Sequence, residues 1–188
     1  MQGILLAAGY GRRFDPSGQR SKLLACLPDG ESVAAQSART LCAALPGSMA
    51  VIRSGQTELA AQLRDAGCHI VESIEAEAGM GSALAHAVRA TRGAEGWLVA
   101  LADMPWVPGG AIRAVAGAID TPKRIAAAAF DGRRGHPVAF GAHWASQLVA
   151  LRGDSGARDL LRTADVRLIE AGTADVLRDI DHPADLAG

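Results

Sequence analysis

The chain is 188 residues long, which suits one domain burying roughly 70% of the surface its unfolded form exposes. A formal net charge of −1 excludes long-range attraction to nucleic acid or anionic membrane, and no apolar run approaches the ~20 residues of a membrane span. Three cysteines, Cys26, Cys42 and Cys68, without a CxxC spacing argue against a disulfide scaffold or zinc site.

The cysteines' apolar neighbours point instead to reduced, partly buried thiols in a cytoplasmic protein, and the N-terminus lacks the pattern of a signal peptide. Aromatic residues make up only 4% of the chain, so the core has to be built from Ala, Leu, Val and Ile. Short apolar runs predict strands at 3–8, 49–53, 68–72, 97–102, 124–130, 135–140 and 166–170. Between them, three-four spacing predicts helices at about 32–45, 56–66, 81–92, 109–119, 142–150 and 155–164. Met80, Leu84, Ala87, Val88 and Thr91 mark one buried helix face, and Gly67 is placed to end the helix before Cys68. Asp131-Gly132 reads as a hairpin turn, which makes one strand antiparallel. The alternation predicts an α/β fold with a largely parallel sheet, in a single domain spanning 1–188.

The richest chemistry stands at the start. Ile4-Leu5-Leu6-Ala7-Ala8 breaks into Gly9-Tyr10-Gly11-Arg12-Arg13-Phe14, and Lys22 follows a polar loop over 14–21 that reads as mobile and lid-like. Glycines let backbone N–H groups approach an anion closely, and the cations neutralise it, so this loop is read as a phosphate cradle. Lysine is otherwise scarce, with only Lys22 and Lys123 against seventeen arginines. A dinucleotide fingerprint would need glycine where Phe14 stands, and no Gly-Lys-Ser/Thr follows to make a Walker A loop.

Further along, Asp103 ends an apolar strand, where it can bind Mg²⁺ or cap the next helix. Asp179 and Asp181 alternate in an extended segment and form a second candidate carboxylate pair, or else a solvated acidic tail. Gly79-Met80-Gly81-Ser82 opens a helix, where small residues admit a ligand or simply make an N-cap. Gly135-His136-Pro137 opens a strand, and Gly153-Asp154-Ser155-Gly156-Ala157-Arg158 reads as a capped helix start.

Taken in order, Leu6-Ala7-Ala8-Gly9-x-Gly11-x-Arg13-Phe14 with Lys22, Gly79-Met80-Gly81-Ser82, Asp103-Met104-Pro105, Gly135-His136-Pro137, Gly153-Asp154-x-Gly156-Ala157-Arg158 and Asp179-Ile180-Asp181-x-Pro183 resemble the molybdenum cofactor cytidylyltransferases. The resemblance implies a three-layer α/β/α sandwich with a seven-stranded, mostly parallel, mixed sheet, a Rossmann-like nucleotidyltransferase fold. It also implies Mg²⁺-dependent transfer of CMP from CTP to the terminal phosphate of molybdopterin, with pyrophosphate released. By that resemblance Ala7, Ala8, Gly9, Gly11, Arg13, Lys22, Gly81 and Ser82 bind the nucleotide, and Arg13, Lys22 and Asp103 are catalytic. Asp103 and Asp181 hold the metal, and Gly135, His136 and Pro137 face the pterin. Ala8, where guanylyltransferases of the group have a second glycine, favours CTP over GTP.

Two features depart from the family: the loop between Arg13 and Lys22 is longer, and His182 stands where threonine is usual. The alternatives are a guanylyltransferase, a nucleotidyltransferase with another phosphorylated acceptor, and a non-catalytic nucleotide-binding chaperone or sensor for a recipient molybdoenzyme. An NAD-dependent oxidoreductase ranks last because the third fingerprint glycine is missing.

Overall fold

In the computed structural model, which describes residues 1–154 and 156–187, seven strands form one mixed sheet. They are β1 (Gln2–Leu6), β2 (Met49–Ile52), β3 (His69–Glu72), β4 (Gly96–Leu101), β5 (Ile125–Phe130), β6 (Arg133–Gly141) and β7 (Val166–Glu170), in the spatial order β3-β2-β1-β4-β6-β5-β7. Only β6 runs antiparallel to its neighbours. Asp131 at φ 50° and Gly132 at φ 71° make the tight β5–β6 turn, a conformation that suits the right-handed strand twist.

The inner strands read as continuous apolar runs because both sheet faces are covered. Leu5, Ala50, Ile52, Leu98, Ala100, Ala126 and Ala139 face one core, under α1 (Val33–Ala44), α2 (Thr57–Asp65) and α4 (Gly109–Gly117). Their chain neighbours Ile4, Leu6, Val51, Trp97, Val99, Ile125 and Phe140 face the other, under α3 (Met80–Ala90), α5 (Ala145–Val149) and α6 (Arg158–Thr163). The period-two alternation thus feeds two cores, and the expected three-layer sandwich is the result. Trp97 is fully buried, and its indole N–H is satisfied by the Thr91 hydroxyl at 2.9 Å.

Local punctuation follows the chemistry. Ser32 caps α1 by accepting from the Ala35 N–H at 3.3 Å. Gly67 at φ +100° ends α2 in a Schellman turn, with the Cys68 N–H donating to the Leu63 carbonyl and the Gly67 N–H to the Arg64 carbonyl.

Some boundaries differ from the sequence pattern. The first strand stops at Leu6, although Ala7 N–H still reaches the Val51 carbonyl. The expected helix over 142–150 divides into a 3₁₀ turn and a five-residue α5, and the stretch expected from 155 is helical only from Arg158 to Thr163. Ser155 lies outside the described residues. No helix among the described residues is long and apolar enough to cross a membrane.

The order matters for function. From β1 the chain passes to β2 and β3 on one side, then returns to place β4 on the other. Parallel α/β sheets hold ligands in the crevice opened by such a reversal, beyond the carboxyl ends of the strands.

Candidate functional site

A cleft of about 410 Å³ opens at that point, within the range of small-molecule sites. Its floor is the end of β1 and the loop after it: Leu6, Ala8, Gly9, Tyr10 and Gly11. Gly9 is exposed, and a Cβ there would meet nothing within 4 Å. Gly11 is left-handed at φ +61°, and its carbonyl accepts from the N–H groups of Phe14 and Asp15, so the chain doubles back beneath the cleft. A Cβ on Gly11 would stand 3.3 Å from Lys22 Cγ, so this glycine makes room for the lysine stem.

Lys22 is only 7% exposed, and its ammonium is held by the groups around it. Nζ lies 2.7 Å from Asp103 Oδ2, 2.9 Å from the Ile180 carbonyl and 3.5 Å from Asp181 Oδ1. A buried lysine needs such partners, and here two hydrogen bonds and one longer ion pair supply them. Asp103 therefore does not cap α4; its carboxylate belongs to the cleft. The Ile180 N–H donates to the Asp103 carbonyl at 2.9 Å, and this one backbone bond seats the C-terminal segment against the end of β4. Asp181 arrives beside Asp103 as a consequence, and it also pairs with Arg13.

Asp185 fixes that segment by accepting from the His182 N–H at 2.7 Å and the Asp181 N–H at 2.9 Å, contacts that hold its own carboxyl below the usual range. Asp179 is exposed, but partial burial of its carboxyl and then repulsion from Asp181 and Asp103 raise its pKa. Three carboxylates thus sit close enough to feel one another. Among the described residues no group of three or more His, Cys, Asp or Glu is arranged as a ready-made metal cage.

The structure therefore gathers Ala8, Gly9, Gly11, Arg13, Lys22, Asp103 and Asp181 around one cleft. It places other expected residues elsewhere. Ala7 points into the core on the far sheet face. Gly81 and Ser82 are buried behind the cleft wall, which is formed by Gly79, Met80 and Ala83. Gly81 N–H donates to the Gly153 carbonyl at 2.8 Å, and Ser82 Oγ accepts from the Gly153 N–H at 3.1 Å. What approaches these small residues is the chain's own backbone at Arg152, Gly153 and Gly156.

Gly135 is small for the same kind of reason: the Val176 carbonyl occupies the space a Cβ would need. His136 and Pro137 line a separate cavity of about 10 Å³ behind Leu101 and Met104, outside the main cleft. His136 Nδ1 is buried without a partner, and burial pushes the imidazole's pKa down more than the Asp103 charge restores it. Within the 14–21 loop Asp15 accepts from the Ser17 N–H, the Ser17 hydroxyl and the Arg20 N–H.

Three features escaped the sequence reading. Tyr10, the sole tyrosine of the chain, stands at the cleft mouth between the Arg53 guanidinium, 4.0 Å from its ring centroid, and that of Arg12 at 5.2 Å. Arg53 Nε and Ser73 Oγ, just beyond β2 and β3, are buried without hydrogen-bond partners. Asp154 and Glu77 add acidic groups to the wall. The available signal was position: Arg53 and Ser73 directly follow the neighbouring strands β2 and β3.

Residues 3–170 match the MobA-like NTP transferase domain family. Among solved structures, Rv0371c from Mycobacterium tuberculosis superposes with a TM-score of 0.82 at 23% identity, over 98% of this chain and 93% of that one. A second structure of Rv0371c is a manganese complex, with a TM-score of 0.70 at 22% identity over 100% and 92% of the two chains. A nucleotidyl transferase from Methanothermobacter thermautotrophicus gives a TM-score of 0.82 at 22% identity over 98% and 93%. The inositol-1-phosphate CTP transferase from T. maritima gives 0.69 at 15% identity over 98% and 90%. No curated protein sequence matches. At these identities the structural likeness is one of fold, whereas the family match covers most of the sequence, and on that ground the chain belongs to the MobA-like NTP transferase domain family and is a nucleotidyltransferase.

Proposed function

We propose that residues 1–188 act as one cytoplasmic nucleotidyltransferase domain that transfers CMP from CTP to the terminal phosphate of molybdopterin and releases pyrophosphate. The observation that carries this reading is the convergence of the Gly9–Gly11 loop, Lys22 and the carboxylates Asp103 and Asp181 on one cleft. Nucleotidyl transfer asks a protein for alignment and charge neutralisation, with no nucleophile of its own. This site is made of those two things.

The glycine loop offers backbone N–H groups to the triphosphate at close range. Arg13 is exposed and held by Asp181 alone, so it is free to turn toward phosphate. Lys22, fixed by its burial, keeps one positive charge at the junction of the cleft and the C-terminal segment. An oxygen of the acceptor phosphate attacks the α-phosphorus of CTP, and the bond to the β-phosphate oxygen breaks. Arg13 and Lys22 then neutralise the charge gathering on pyrophosphate. The two hard carboxylates fit Mg²⁺, which is commonly held by one or two carboxylates together with substrate phosphates. Bound there, Mg²⁺ supplies further neutralisation and orients the phosphates.

Ala8 supports CTP because its methyl group narrows the floor where a purine would need room. The Arg53 guanidinium, stacked on the Tyr10 ring at the cleft mouth, adds a cation beside the nucleotide site. A recipient molybdoenzyme is the expected consumer of the product. The second reading keeps the chemistry and changes the acceptor to an alcohol phosphate. A fold relative named inositol-1-phosphate CTP transferase favours it.

Pyrophosphate release with purified protein, Mg²⁺ and molybdopterin, compared across CTP, GTP and ATP, tests the proposal. Release with CTP that Asp103→Asn abolishes is the expected result. Release with GTP alone overturns the inference from Ala8, and turnover only with an alcohol phosphate establishes the second reading.

A further inference from the structure

The nucleotidyl-transfer site leaves two sulfur atoms unused. Cys42 lies in the last turn of α1 and Cys68 directly precedes β3, at the end of the strands opposite the cleft. Their Sγ atoms are 3.3 Å apart, although 26 positions separate them in sequence. The contact is built, not incidental to a loose surface. The Schellman turn at Gly67 delivers Cys68 to the flank of α1, and the missing Cβ of Gly67 would stand 3.4 Å from Cys42 Cβ. At φ +100° any side chain at 67 would strain the turn that delivers Cys68.

The pair is also asymmetric. Cys42 is half-buried and open to solvent on one side, whereas Cys68 is only 3% exposed. One S–H is shared between the sulfurs; the contact favours the thiolate on Cys42 and keeps the proton on Cys68, whose pKa it raises. An accessible attacking thiolate beside a shielded second thiol is the arrangement that redox-sensitive cysteine pairs need. Cys26 is exposed and takes no part in this contact, so it serves as an internal control.

We propose that Cys42 and Cys68 are a modification site at which a hydroperoxide drives formation of a reversible intramolecular disulfide. In the first step the Cys42 thiolate attacks the O–O bond of hydrogen peroxide, forming a Cys42 sulfenic acid; the hydroxide that leaves takes up a proton to become water. In the second, the Cys68 sulfur attacks the Cys42 sulfur and forms the S–S bond. The sulfenic hydroxyl leaves and takes up the Cys68 proton as a second water. Two thiols are oxidised by two electrons, and one peroxide is reduced to two waters. The sulfurs need to close by a little over 1 Å to reach a bond of roughly 2.05 Å. In a reducing compartment the pair rests as thiols, and a small dithiol restores it. The bond staples the end of α1 to the start of β3 and encloses β2 and α2 in a covalent loop.

The test treats the reduced full-length protein with hydrogen peroxide, then alkylates it and maps the peptides by mass spectrometry. The expected result is a cross-linked Cys42–Cys68 peptide lighter by two hydrogens, alkylation only at Cys26, and full reversal by dithiothreitol. Thermal melting of the oxidised form should rise by about 5 °C. In Cys68→Ser, peroxide should leave Cys42 as a sulfenic acid that dimedone traps; because that variant changes a buried site, the wild-type peptide map stands as the deciding measurement. Independent oxidation of Cys42 and Cys68 without the cross-linked peptide, or dimers joined through Cys26, overturns the proposal. None of these readouts depends on nucleotidyl transfer.

Discussion

Two Gly-x-Gly stretches, Gly9-Tyr10-Gly11 and Gly79-Met80-Gly81, flank the same cleft and look alike in sequence. Gly9 and Gly81 are small for opposite reasons. Gly9 faces open space, so its missing side chain leaves room for something from outside. A Cβ on Gly81 would stand 2.9 Å from the Gly153 carbonyl oxygen and 3.0 Å from that of Arg152, so its missing side chain leaves room for the protein itself. At Gly9 the space stays open beside the cleft; at Gly81, as at Gly11 beside Lys22, the fold fills it. A glycine next to a cleft is therefore not by itself a binding residue; what fills the space of its Cβ decides.

The contrast is sharpest when the group each stretch serves is removed. Lys22 depends on Gly11 for the room its stem occupies. Lys22→Met preserves that stem and deletes the charge. Turnover in the pyrophosphate assay should fall by about 10²–10³, the usual loss for one positioned group that stabilises transition-state charge. Circular dichroism should still report a folded protein, because Asp103 and Asp181 remain in reach of solvent. A variant that unfolds instead would make Lys22 a structural cation.

On the other side, Gly81→Ala pushes a methyl group into backbone atoms of Arg152, Gly153 and Gly156, which have no flexible end to swing away. Overpacking of this kind costs about 2 kcal/mol, a melting temperature lower by roughly 4–8 °C for a chain of this size. The KM for nucleotide should change little once the protein is folded. Gly9→Ala should do the reverse, leaving stability within about 0.5 kcal/mol while raising the KM for CTP by about tenfold. Equal stability losses in both variants would erase the distinction between the two stretches.

The same distinction explains how much could be read from the chain. Elements whose cause is local were legible: the apolar runs of the inner strands, the left-handed Gly67 after α2 and the Asp131-Gly132 turn all announce themselves within a few residues. The loop after β1 and the carboxylate at the end of β4 were legible as chemistry because glycine, cation and acid each sit where a strand ends. Features with a distant cause were not. Nothing near Gly81 in sequence reveals the Arg152 and Gly153 carbonyls, nothing near Gly135 reveals the Val176 carbonyl, and nothing near Cys42 reveals Cys68. The meeting of Asp103 with Asp181 rests on a backbone bond from Ile180; periodicity carries no trace of it, and the family resemblance alone anticipated the pair.

His136 extends the comparison to a side chain read as a substrate contact and found in a small cavity behind the cleft. Burial lowers its pKa below the 6.5 of a free histidine; the Asp103 charge offsets this in part, and the Arg134 charge adds to it. Between that lowered value and 6.5 the unfolded chain binds more protons than the folded one, so stability rises with pH there. The contribution is fully present above pH 6.5 and is lost as the pH falls through the folded value. The melting temperature should therefore drop between about pH 7.5 and about pH 5.5, and His136→Gln should flatten that part of the curve while leaving the carboxylate titrations at lower pH in place. An unchanged slope in the variant would mean that the folded protein accepts the proton at His136 as readily as water does, and that the cavity opens to solvent.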